Sequence, residues 1–239
     1  MQPGRILLAL GALASLTAQT GLGAMDPDNP TCPAEPDWGP AERMAISQRD
    51  INGTRVLVLE GVVDRGLPAR LQAALDDDPD ELIEEVWIRS RGGDARAGNA
   101  AGRIIRDNFL TTRIPNGWTC FSACNFIFMG GRYRTVEPGG IFMVHMFTHT
   151  GDRSLISESV LDGTEATAEL IGEIEQASAL LATEDNDFLI RMGISRELLS
   201  EVMYQQQAVS SEADPSTRYC LTQEEVLRYN VRADSRPDN

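Results

Sequence analysis

The feature that most constrains the fold is an alternation of two patterns. Short apolar runs of strand length take turns with stretches whose apolar residues recur at helical spacing. Residues 55–60 (RVLVLE) read as a strand. Pro68 opens a helix in which Leu67, Leu71 and Leu75 share one face. Residues 84–90 (EEVWIRS) read as the next strand, and residues 94–109 set Ala97, Ala101, Ile104, Ile105 and Phe109 in a helical pattern. A short extended piece, TTRIPNG, follows. Then ACNFIFMGG reads as a buried helix ending on glycine, and GIFMVHMF, residues 140–147, as a buried strand. Parallel strands need long crossovers, which helices supply. The alternation therefore predicts an α/β domain built from repeated crossovers.

After residue 150 the character changes. Residues 165–192 read as one long helix mixing acidic and apolar residues, and a shorter helix begins at Ser195, a fair N-cap. Residues 205–218 are polar and turn-like, and a last helix starts near Thr222, with Glu225 placed as its capping-box partner. Residues 25–42 are rich in Pro, Asp and Gly and read as an extended arm, whereas the end of the chain, residues 235–239, reads as a disordered tail.

The first 24 residues read as a secretory leader: Arg5 supplies the positive start, Ile6 to Leu16 the short apolar stretch, and Gly21, Gly23 and Ala24 the small residues before a cut. The alternative is a retained membrane anchor, which the early Asp26, Pro27 and Asp28 disfavour. About 215 residues would remain, enough for one domain, residues 43–234, with a sizeable core. Export to the periplasm or the medium gives the four cysteines a meaning. Cys32, Cys120, Cys124 and Cys220 allow three pairings. The preferred one joins Cys120 to Cys124 across the turn that holds Ser122, leaving Cys32 for Cys220; two buried thiols beside a helix start are the alternative. No cofactor is expected. A zinc site is disfavoured because His145 and His149, the two histidines, share one short segment.

Charge excludes further classes. With 36 acidic against 21 basic residues and no basic patch, the chain lacks the footprint of a nucleic-acid binder. Every basic residue is an arginine, so a lysine general base and Schiff-base chemistry are excluded.

Three features carry chemistry. Ser122, in WTCFSACNF, directly precedes the buried apolar helix, where unpaired amides such as that of Ala123 favour negative charge. Gly92 and Gly93 follow a strand in IRSRGGDARAG and permit a turn closed to other residues. His145 sits in the apolar strand IFMVHMF. Each has an ordinary reading as well: a helix cap, a tight turn and a satisfied core histidine.

Together they follow a known order. Residues 86–150 resemble the proteolytic subunit of the Clp protease, within the wider Clp protease/crotonase superfamily, through IRSRGGDARAG, CFSACNFIFMGG and IFMVHMF. Ser90-Arg91-Gly92-Gly93 stands where that family has serine-proline-glycine-glycine, and Gly93 precedes Ser122 by 122 − 93 = 29 positions, the family's spacing. The ending RYCLTQEEVLRYNVRAD is similar too, and the best fit is to exported relatives with a cysteine on each side of the serine. The resemblance implies a repeated β-β-α superhelix with a helical C-terminal part. It implies Ser122 as nucleophile, His145 as base, and Gly93 and Ala123 as oxyanion-hole donors. It also implies a peptide or unfolded-protein substrate and homo-oligomers, with residues 165–200 as the interface.

Two departures stand out. The family's histidine-orienting aspartate falls here at about Val202 to Tyr204, none of them acidic. Glu201, Glu212 or Asp214 are substitutes, Gln205 is a neutral acceptor, and Asp185 and Asp187 are more distant candidates. Export also separates the chain from ATP, so no Clp ATPase partner is expected. A serine peptidase is thus the leading expectation. A weakly active or inactive binding or assembly module is the second, and an acyl-CoA enzyme of the crotonase type the third.

Overall fold

A computed structural model describes residues 24–27, 30–78, 83–146, 152–205 and 218–233. The proposed leader lies outside these residues except for Ala24, as do His149, Glu212, Asp214 and the expected tail.

The chain is mixed α/β. Its elements are β1 (Ala45–Ile51), β2 (Thr54–Glu60), α1 (Leu67–Asp76), β3 (Ile83–Arg89), α2 (Ala95–Asp107), β4 (Thr111–Ile114), β5 (Thr119–Phe121), α3 (Ala123–Met129), β6 (Arg134–Val136), β7 (Ile141–His145), α4 (Arg153–Asp162), α5 (Thr164–Met192), β8 (Arg218–Cys220) and α6 (Gln223–Arg228). A π-helical turn, Leu198–Val202, and a 3-10 turn, Met203–Gln205, follow α5.

Five strands form one sheet in the order β1-β2-β3-β4-β6, antiparallel between β1 and β2 and parallel thereafter. Val56 to Leu59 of β2 are fully buried, as expected of a strand covered on both faces. A second sheet, β5-β7-β8, holds β7 parallel to β5 and antiparallel to β8. A bridge between Ser90 and Cys120 joins the end of β3 to β5, so the second sheet starts where the first one stops.

Helices α2 and α3 touch backbone to backbone. A side chain on Gly102 would strike the Phe126 carbonyl, and one on Gly130 would strike Gly102 itself. This contact brings α3, and the residue before it, against the turn that follows β3. Apolar side chains of α1, α2, α3 and the end of α5 complete one continuous core.

The arm folds on itself where Met25 bridges Pro33, and it is fastened to the body where Asp37 bridges Trp118 and where Cys32 is bonded to Cys220 on β8. At the other end, Arg232 and Ala233 are placed, and Ala233 exchanges two backbone hydrogen bonds with Arg134. Arg134 is buried and donates to the carbonyls of Val231 at 2.8 Å, Gly131 at 2.9 Å and Asn230 at 2.9 Å. Burial, with Arg106 nearby, brings its pKa down to about 10. The carbonyls act as its counter-charge and hold the C-terminal segment on the core.

Candidate active site

The site is built where β3, β5 and β7 end. The turn after β3 comes first. Ser90 is buried and donates Oγ to the Gly61 carbonyl at 2.5 Å, while its oxygen accepts the Gly92 amide at 3.0 Å. Gly92 and Gly93 have φ of 87° and 144°. A Cβ on Gly92 would lie 2.7 Å from that of Ser122, and one on Gly93 would run into the Val63 carbonyl. Only glycines let the turn lie this close to both neighbours. Asp94 closes it by capping α2, accepting the Ala97 amide at 2.9 Å.

Ser122 lies between β5 and α3 with φ 58° and ψ −123°. This region is sparsely populated for residues with a side chain and costs about 1–3 kcal/mol. Its hydroxyl does not cap the helix. The odd backbone conformation turns it elsewhere: Ser122 Oγ lies 2.7 Å from His145 Nε2. A disulfide between Cys120 and Cys124 spans the serine, with both cysteines fully buried. Both pairings expected as preferred are therefore the ones observed.

His145 ends β7, which is held by β5 on one side and β8 on the other. Its ring packs against Phe121 at 4.8 Å between centroids, and Phe121 lies against Trp38 of the arm at 6.1 Å. Neither the Gly93 nor the Ala123 amide donates a hydrogen bond among the described residues. Of the four residues expected to share a site, Ser122, Ala123 and His145 line one cavity, and Gly93 lies in the turn whose Gly92 abuts Ser122.

A cavity opens on this group. It is lined by Ser122, Ala123 and His145 at one side and mainly by apolar side chains elsewhere, among them Phe126, Met129 and Leu189. Two polar groups interrupt the lining. Asn125 donates Nδ2 to the Met143 carbonyl at 2.7 Å, and its Oδ1 is buried with no partner among the described residues. Asp185, on α5, is 9% exposed. Burial, with Glu184 beside it on the helix, pushes its pKa up to about 7.

The proposed orienting groups part company here. Glu201 accepts from Arg228 at 2.8 Å and from the Tyr229 hydroxyl at 3.3 Å. Gln205 is exposed and donates to the Ser200 carbonyl, and Asp187 is exposed. Asp185, the distant candidate in sequence, is the one that lines the cavity with His145. A run such as ATEDNDF reads as a solvated helix face, and only the packing of α5 shows which of its acids points inward. The role of Asn125 had no sequence signal beyond its place three residues after Ser122.

The fold and site together describe an α/β chain with a serine–histidine pair mounted ahead of a buried helix. No family model matches the sequence, and no curated protein matches it. Among solved structures, the chain is similar to a mutant of ClpP1 from Listeria monocytogenes, with 17% identity, a TM-score of 0.46, and coverage of 77% of this chain and 93% of that one. It is also similar to a mutant of the 1510-N membrane-bound stomatin-specific protease, at 14% identity and TM-score 0.45, over 74% of this chain and 75% of that one. A methylmalonyl CoA decarboxylase overlaps 44% of this chain and 50% of its own, at 11% identity and TM-score 0.35.

Proposed function

We propose that the chain is an exported serine hydrolase, a peptidase that works without an ATPase, with Ser122 as nucleophile and His145 as base. The observation that carries this reading is the 2.7 Å contact between Ser122 Oγ and His145 Nε2 beside two unused amides. For Nε2 to accept the hydroxyl proton, the imidazole must carry its own proton on Nδ1. Oγ then bonds to the substrate carbonyl carbon as its proton passes to Nε2. The carbonyl oxygen takes up the negative charge and meets the amides of Gly93 and Ala123, as donors of this kind do in acyl transfer. Collapse expels the amine, which takes the proton from Nε2. Water, deprotonated by His145, then frees the acyl group and restores Ser122. The two disulfides fit an oxidising compartment, the periplasm or the medium.

A fluorophosphonate probe tests this directly. It is expected to label Ser122, as mapped by mass spectrometry, and to fail on Ser122→Ala and on His145→Ala. An unlabelled, well-folded wild type would leave a binding or assembly module as the better reading.

A further inference from the structure

The cavity beside Ser122 is apolar except for two acceptors. The Asn125 amide is fixed by its bond to the Met143 carbonyl: Nδ2 faces that oxygen, and Oδ1 is enclosed by protein with no partner among the described residues. Asp185 stands on α5 between Leu181 and Leu189, one helical turn from each, and all three line the cavity. Asp185 accepts no hydrogen bond among the described residues although it is 9% exposed. Buried polar groups are ordinarily partnered. A carboxyl left open in a mainly apolar cavity calls for an occupant that brings donors.

We propose that this cavity receives a lysine side chain carried on the acyl side of the bond that Ser122 attacks, with the ammonium held by Asp185. This rests on the hydrolase reading above. A lysine fits on each count. Its ammonium has donors and no acceptor, so it can pair directly with the open carboxyl. Its four-carbon stem matches walls made by Phe126, Leu181, Leu189 and Met203. Its charge supplies the counter-ion that the buried carboxyl lacks. An arginine would bring five donors in a rigid planar fork to a single carboxyl, leaving more of them unpaired than the three of an ammonium. The molecule as a whole carries a formal charge of −15, which draws cationic peptides toward it. The chain contains no lysine, so it offers no bond of this class to its own site.

Peptidyl diphenyl phosphonates differing only in the side chain next to phosphorus test the proposal. The lysine phosphonate should modify Ser122 at least about tenfold faster than its norleucine counterpart, which has the same stem without the ammonium. Asp185→Asn should bring that ratio to about one or below. An arginine phosphonate faster than lysine, or a norleucine phosphonate as fast as lysine, overturns the assignment. Calorimetry on Ser122→Ala gives a readout free of chemistry. An acetylated peptide ending in lysine should bind more tightly than the same peptide ending in norleucine, and equal affinities overturn the pocket. If the simple fluorophosphonate fails on wild type, the hydrolase reading falls, and the calorimetric comparison still decides the pocket.

Discussion

At the scale of single residues, Asp185 ties stability to pH. Its folded pKa of about 7 stands above the 3.8 expected in the unfolded chain. Below both values the carboxyl is neutral in each state and contributes no difference. As pH rises from about 4 to about 7, the unfolded chain ionises first, and the folded state loses stability, by up to about 4 kcal/mol. Asp185→Asn removes this penalty. Chemical denaturation should find the variant more stable than wild type at about pH 8 and equal to it at about pH 3. Equal stability at pH 8 would show that Asp185 ionises freely in the fold. Groups held in unfavourable surroundings are characteristic of functional sites. The residue scale is also where the sequence is most ambiguous. Ser122 reads equally well as a helix cap, and His145 as a core histidine, until their order after the glycine pair is taken into account. Asp185 is hidden among the acids around it because helical spacing alone does not say which face a 29-residue helix turns inward.

At the scale of elements, the alternation of apolar runs is enough to locate β2, β3, β7 and the four helices α1, α2, α3 and α5. Thr222 and Glu225 foretell the capping box, in which Thr222 accepts the Glu225 amide at 3.2 Å and Glu225 accepts the Thr222 amide at 2.8 Å. Four strands are not legible. β1 is an edge strand, mostly polar and largely exposed, so no alternation marks it. β5, β6 and β8 are three residues each and owe their form to the neighbours they pair with. The segment from Cys120 to Cys124 is the element most strained by its task. It must leave β5, pass through the positive φ of Ser122 and enter α3 within a few residues. The disulfide across it holds that path closed. Reduction under native conditions is therefore expected to slow fluorophosphonate labelling of Ser122, and reoxidation to restore it. Because both cysteines are buried, mild reductant should act slowly, with partial denaturant needed for speed. Unchanged labelling with both thiols demonstrably free by intact mass would show that the bridge has no part in shaping the site.

At the scale of the whole molecule, α4 and α5 present Leu161 (87% exposed), Val160 and Leu155 on the shorter helix and Ile171, Leu180 and Ile190 on the longer one. We propose that a second copy of the chain packs against these two helices, since apolar side chains in such number along them otherwise meet water. Light scattering should give a mass that is a multiple of the monomer, and charged substitutions at Leu161 and Ile171 should return it to one chain; a monomeric wild type at high concentration would refute the idea.

The bond between Cys32 and Cys220 sets an order of assembly. Its two ends are 188 residues apart in sequence, yet it anchors the arm to β8, the strand that flanks His145. Trp38 of the same arm rests on Phe121, which rests on the histidine ring. The outer wall of the site is therefore made from an early stretch and a late stretch of the chain. During synthesis the early stretch has to wait for the late one. A nascent chain can complete its central sheet and still lack the wall behind its histidine. If the chain is the exported hydrolase proposed above, closure of this bond is the step that completes the wall behind its histidine.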